Sequence, residues 1–261
     1  MQASVVIPTF NRGDSLLRTL ESLENQPRLA GEFEVTVVDD GSDTVIDSIP
    51  STNFGYPIRC VKGPHRGATY ARNRGARMGN GEVLVFIDDD VTLSNTALKK
   101  LIESCMAAPN RVAIGNLQDR CPEPDSVFAN VVLNQSVEVE HLQRDEQIPF
   151  VECNTQLLAV GKSEFFDLGM LKDPTGGWPN WDDVDFGYRA RRSGFQIVRS
   201  MRATGVHWDY SLSDLRTACD RWYRAAYSAA SLFRVHPDLF QHIEMFHDKV
   251  PKNWRGDPMP L

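Results

Sequence analysis

Apolar residues in the first half of the chain keep two rhythms, short unbroken runs and longer stretches with a three-to-four-residue repeat, and the two alternate. The runs over 4–7, 34–38, 57–61 and 83–87 read as strands, short and continuous as strands buried on both faces are. Between them, Leu16, Leu17, Leu20 and Leu23 recur at helical spacing behind Asp14, which predicts a helix with that Asp as N-cap. Ala68, Ala71, Gly75 and Ala76 make a small-residue helical face suited to close packing on a sheet. Ser94 precedes a third helix with Ala97, Leu98, Leu101, Ile102 and Cys105 on its core side. Strand and helix in this order imply an α/β fold with a mostly parallel, Rossmann-like sheet flanked by helices.

The second half is mixed. Runs at 112–114, 131–139, 156–160 and 195–198 read as strands, 162–168 as a short helix, and 182–192 as a helix opened by acidic residues. Leu215, Ala218, Cys219, Trp222, Ala226, Ala229 and Phe233 predict the buried side of a long helix over 212–233, stopped by Pro237. The tail over 251–261, with three prolines and a glycine, reads as irregular. No repeat or linker divides the chain. The expectation is a single domain over 1–261: a nucleotide-binding half (1–110), a mixed acceptor and catalytic half (111–210), and a C-terminal helical extension (211–261).

Composition narrows the partners. A net charge of −7 leaves no excess of Lys and Arg to neutralise phosphates, so a general nucleic-acid binder is excluded. Five scattered cysteines, odd in number and without a CxxC pair, fit reduced thiols rather than a disulfide framework or a zinc site. The first residues carry no charged leader, and no stretch has the roughly 18 apolar residues needed to span a bilayer. The expectation is a cytoplasmic protein without a transmembrane segment, peripheral membrane contact being left open.

The chemistry concentrates in two acidic clusters. Asp88, Asp89 and Asp90 end the apolar run 83–87, and Asp182, Asp183 and Asp185 stand far downstream. The first cluster would sit at the C-terminal lip of a buried strand, where open α/β sheets bind ligands. Carboxylates so close repel one another unless a hard cation or a proton relieves them. A divalent ion holding a nucleotide diphosphate is the simplest reason for such a lip, which points to an enzyme acting on a nucleotide-activated substrate.

Five blocks then resemble, in order and spacing, those of the family 2 glycosyltransferases. They are Ser4-Val5-Val6-Ile7-Pro8-Thr9-Phe10-Asn11-Arg12, Val38-Asp39-Asp40-Gly41-Ser42, Ala71-Arg72-Asn73-Arg74-Gly75, Phe86-Ile87-Asp88-Asp89-Asp90 and Trp181-Asp182-Asp183-Val184-Asp185-Phe186. The likeness covers roughly residues 4 to 208. It implies a GT-A fold, a nucleotide-sugar donor such as a UDP-sugar, Mn²⁺ or Mg²⁺, a hydroxyl acceptor, and inversion at the anomeric carbon. Carried over residue by residue, it implies that Pro8, Thr9 and Phe10 bracket the nucleobase and that Asp40 accepts its imide N–H, with Asp39 structural. Arg72 would face the base or diphosphate, and Asp88 or Asp89 would hold the ribose or a metal-bound water. Asp90 would ligate the metal, with His207 a further ligand. Asp183 would be the general base, although Asp182 stands where the family usually has Glu, which leaves the choice between the two open. Residues 176–179 could form a lid beside them.

Some features read as ordinary surface or packing: Arg74 and Arg77 as a solvated helix face, His65 and Arg66 as a surface loop, and Trp222 and Tyr223 as helix-packing residues. The Arg221-Trp222 pair resembles part of the Q-x-x-R-W element of processive polysaccharide synthases, but Ala218 replaces the Gln and no membrane helices follow, against such a synthase. A sugar-phosphate nucleotidylyltransferase would want a Gly-rich phosphate loop with Lys near the N-terminus, which the residues after Ile7 lack. A non-catalytic nucleotide-sugar-binding module would have no need of Asp183. A Rossmann dehydrogenase is disfavoured because no G-x-G-x-x-G follows the first strand.

Overall fold

The computed structural model describes residues 2–26, 33–43, 54–122, 128–129, 145–173 and 181–243. The strand expected over 131–139, the lid over 176–179 and the tail over 251–261 lie outside the described residues. Strand β1 (Ala3–Thr9) is buried along its whole length, as its unbroken apolar run requires. It leads into α1 (Gly13–Glu24), β2 (Phe33–Asp39), β3 (Ile58–Lys62), α2 (Ala68–Met78) and β4 (Val83–Ile87). The strands lie side by side in the order β3, β2, β1, β4, all parallel. Parallel neighbours need crossovers, and α1 and α2 supply two of them.

The period-two alternation of side chains divides these runs between two cores. Val5, Ile7, Val35, Val37, Val85 and Ile87 meet Leu16 and Leu20 of α1 and Leu98 and Leu101 of α3 (Ala97–Met106). On the other face, Val6, Leu84 and Phe86 meet α2, α4 (Lys162–Asp167) and α5 (Asp182–Arg192) through Ala76, Phe165 and Phe186. The small residues of α2 matter here. A Cβ at Gly75 would stand 2.3 Å from Val6 Cγ1, so only glycine lets this helix lie so near the sheet, and that closeness brings Arg72 to the strand tips.

Past β4 the sheet turns mixed, as the less regular second half of the sequence suggests. β8 (Leu157–Gly161) runs antiparallel to both β4 and β6 (Arg111–Arg120), and β6 runs parallel to β9 (Gln196–Trp208). β5 (Val91–Leu93) and β7 (Glu146–Gln147) each pair antiparallel with β9. β6 and β9 are much longer than the expected 112–114 and 195–198. The outer part of β9 alternates buried with less buried residues and that of β6 is half-buried to exposed, so neither runs apolar and the continuous-run criterion stops short.

Three helix details correct the sequence reading. Asp14 lies in the first turn of α1, whose N-cap is Arg12, and Leu17 is exposed. The N-cap of α3 is Thr96, in the left-handed region; Ser94 contributes its carbonyl to Ala97 N–H. α6 (Leu215–Val235) is capped by Asp214, which accepts from Thr217 N–H at 3.0 Å. Its buried side is Ala218, Ser228, Ala229 and Leu232, whereas Trp222 and Tyr223 are 52% and 69% exposed rather than packed. α6 meets the start of α5 where Trp181 Nε1 donates to Ala225 O at 2.8 Å, and its Leu232 clusters with Val184 and Tyr188 of α5. No helix among the described residues is long and apolar enough to cross a membrane.

Candidate active site

Leaving β4, the chain turns through Asp88, Asp89 and Asp90 before β5, the turn held by Val91 N–H on Asp88 O and by Asp88 N–H on Gln156 O. Asp89 and Asp90 are buried at this lip. Arg12 Nη1 donates to Asp90 Oδ2 at 2.7 Å and reaches Asp89 Oδ1 at 3.3 Å. Burial pushes Asp89 up to about 6, with the Arg12 charge pulling the other way. Burial, with the charge of Asp88 behind it, also raises Asp90. The second oxygen of Asp90, Oδ1, is buried and has no hydrogen-bond partner among the described residues.

Sheet register explains what faces that oxygen. β5 pairs Val91 with His207, and β6 pairs Asp119 with His207, so the imidazole is placed beside Asp90 with a carboxylate behind it. Asp119 Oδ1 lies 2.7 Å from His207 Nδ1 and can only accept, so Nδ1 carries the proton. His207 Nε2 is then left as an acceptor, 3.3 Å from the Gln156 amide nitrogen and 3.6 Å from Asp90 Oδ1. Burial alone would lower the His207 pKa; the bond to Asp119 and the charges of Asp90 and Asp119 outweigh it and raise it. A carboxylate behind the imidazole is the usual support of a histidine metal ligand, and here the Gln156 amide would have to yield Nε2 to a cation.

These residues fit a divalent cation. An orphaned carboxylate oxygen and an imidazole nitrogen face each other beyond hydrogen-bond reach, and mixed O and N donors suit Mn²⁺ well and Mg²⁺ less so. No group of three or more His, Cys, Asp or Glu side chains able to hold a metal stands assembled among the described residues. Asp90 and His207 would therefore supply part of a shell, with water or ligand oxygens completing it.

The second acidic cluster opens α5, after Trp181 in the left-handed region turns the chain into the helix. The three acids part company at once. Asp182 accepts from Thr69 Oγ1 at 2.8 Å and lies 3.7 Å from Arg72 Nη1. Asp185 is buried between Arg189 and His236, each at 2.7 Å. Asp183 is half-buried, and its Oδ1 accepts from Val184 N–H at 2.8 Å. Burial, then the neighbouring Asp182 charge, pushes Asp183 up to about 7 against the pull of Val184 N–H and Arg72.

Arg72 joins the two clusters. Its Nη2 donates to Asp88 Oδ1 at 2.5 Å while Nη1 faces Asp182. Burial disfavours its charge, but Asp88 and Asp182 more than compensate and the guanidinium is held charged. Asp88, Asp90, His207, Asp182 and Asp183 all line one cleft of about 890 Å³, with Arg72 among them. Another wall comes from Tyr210 and the C-terminal extension behind it, including Thr217, Asp220, Arg221 and Arg224.

The structure thus brings the metal and base candidates together with Arg72 and Asp88, but it leaves the other nucleotide candidates outside the cleft lining. Pro8, Thr9, Phe10, Asp40 and Asp89 do not line this cleft. Pro8 and Thr9 are buried, and the Phe10 ring lies against His65 with centroids 4.4 Å apart. Asp40 accepts from the backbone N–H groups of Arg66 and Gly67, while Asp39 accepts from Ser42 as a turn anchor. Arg72 has two carboxylates as partners where the resemblance implied the base or diphosphate. Arg12, Asp119 and Gln156 went unassigned in the sequence. Arg12 sat inside a quoted block without a role, and Asp119 had no local signal at all.

The model of one protein family, Glycosyl transferase family 2, matches residues 4–153. Validoxylamine A glucosyltransferase of Streptomyces hygroscopicus subsp. jinggangensis is 27% identical over 254 residues, covering 85% of this chain and 60% of that protein, so the chain spans well under the relative's full length. The crystal structure of Staphylococcus aureus TarS 1–349 superposes with a TM-score of 0.62 at 17% identity, over 89% of this chain and 66% of the other. GalNAc-T7, solved with UDP, GalNAc and Mn²⁺, gives a TM-score of 0.62 at 15% identity, over 80% of this chain and 43% of the other. The shared fold is the GT-A arrangement of a mixed α/β sheet flanked by helices.

Proposed function

The chain belongs to glycosyltransferase family 2, and from that premise we propose that it transfers a sugar from a nucleotide-sugar donor, a UDP-sugar, to an acceptor hydroxyl with inversion at the anomeric carbon. One observation carries this reading: Asp90 with His207, and Asp183, line the same cleft, so a leaving group and an attacking hydroxyl can be served from different elements at once.

Asp183 is the base. It stands at the N-terminus of α5, and its companion Asp182 is already tied to Thr69 and faces Arg72, which leaves Asp183 the acid free to take the hydroxyl proton. Removing that proton lets the oxygen attack from the side opposite the diphosphate. Asp90 and His207 would hold a divalent cation, which would supply charge neutralisation to the departing diphosphate. Arg72 holds Asp88 and Asp182 in register across the cleft. The nucleobase belongs at the neighbouring strand tips. There Phe10 offers exposed ring surface, and each Asp40 oxygen, bonded once to the backbone, keeps a lone pair for an imide N–H. UDP and Mn²⁺ held together in a structure of like fold are in keeping with this donor class.

The base assignment gives the pH dependence a sign. Asp183 must be ionised to act and its pKa is pushed up to about 7, so transfer fails on the acid side. With saturating Mn²⁺, kcat/KM should fall about tenfold per pH unit below the pKa of the essential base and flatten above it. Nucleotide diphosphate release followed between pH 5 and 9 checks this, and a profile level down to pH 5 would remove Asp183 as the titrating base.

A further inference from the structure

Arg12 occupies a position that local rules disfavour. It is the N-cap of α1, where Ser, Thr, Asp or Asn is preferred and where the helix dipole repels a cation. It makes no side-chain capping bond. Its side chain, 47% exposed, instead reaches to the acidic lip, 2.7 Å from Asp90 and 3.3 Å from Asp89, with its guanidinium carbon 5.6 Å from the centre of the Tyr210 ring. Both Arg12 and Tyr210 line the cleft.

We propose that Arg12 is a positioning residue that makes cation binding depend on the diphosphate: it is the resident counter-ion of Asp89 and Asp90, holding Asp90 Oδ2 so that Oδ1 faces His207. The inference rests on the metal site of the preceding reading. Its physical content is electrostatic. Asp90 and His207 give a cation only two side chains, one of them uncharged when it ligates, and a fixed positive charge sits on the far oxygen of the same carboxylate. A divalent ion arriving alone meets that charge in a partly desolvated cleft, where opposite and like charges act strongly. A diphosphate brings negative oxygens that satisfy both cations, so each ligand strengthens the other. Tyr210, stacked on Arg12 and belonging to the C-terminal wall, links the exchange to the opposite side of the cleft.

The test is Mn²⁺ binding without nucleotide, read from the loss of the free-ion EPR signal, in wild type, Arg12→Ala, Arg12→Gln and Arg12→Lys. The two uncharged variants should bind Mn²⁺ alone about fivefold or more tightly than wild type, while Arg12→Lys stays near wild type. Arg12→Gln keeps a polar stem, so the comparison stands if the alanine variant fails to fold. If neither uncharged variant tightens Mn²⁺ binding while wild type still binds it with UDP present, the inference falls and the metal site stands. If wild type binds no Mn²⁺ even with UDP, both fall.

Discussion

Asp183→Asn is expected to slow transfer by about 10²–10⁴-fold, the usual contribution of a positioned general base, while donor affinity stays within a small factor of wild type. The substitution keeps size and shape, and the amide oxygen can still accept from Val184 N–H, so α5 should begin as before. Asp182 keeps its bond from Thr69 and its place opposite Arg72, so the cleft's geometry has no reason to shift. What disappears is the capacity to take a proton. Single-turnover transfer together with calorimetric titration of the donor separates the two effects. Near-normal turnover in the variant would remove the base assignment.

Asp90→Asn should cost about 10²–10³-fold in turnover, the scale on which losing one charge-stabilising group acts, and should abolish activation by Mn²⁺ or Mg²⁺. Asp90 carries the orphaned oxygen, and no other acid on the lip can take its place: Asp88 is bonded to Arg72, and Asp89 lies off the cleft. Chelation of wild type should reproduce the variant, and added Mn²⁺ should restore only the wild type. Full activity in excess EDTA would contradict the metal role.

The sequence carried the parallel half of the fold because burial on both faces leaves an unbroken apolar run, and 83–87 ending in three aspartates is such a run. It also located both acidic clusters, since each sits at an element boundary where composition changes abruptly. Other features depend on register between distant strands. His207 stands beside Asp90 only because β5 pairs with the far end of β9, and Asp119 backs it only because β6 pairs there too. No local pattern encodes such pairings. Asp40 shows a different limit: its motif marks a strand-end acid, but not that the returning loop at Arg66 and Gly67 already bonds to it. On α6, counting apolar residues favours the aromatic stripe with Trp222, whereas the side that is buried carries Ala218, Ser228, Ala229 and Leu232 and leaves Trp222 half exposed.

The most direct measurement is a crystal structure of Asp183→Asn with an intact UDP-sugar and Mn²⁺, using the metal's anomalous signal. The expected result is a Mn²⁺ peak contacting Asp90 and His207, bound to the diphosphate, with residue 183 facing the anomeric carbon from the side opposite the leaving group. A donor lodged outside this cleft, or residue 183 on the same side as the diphosphate, would contradict the account.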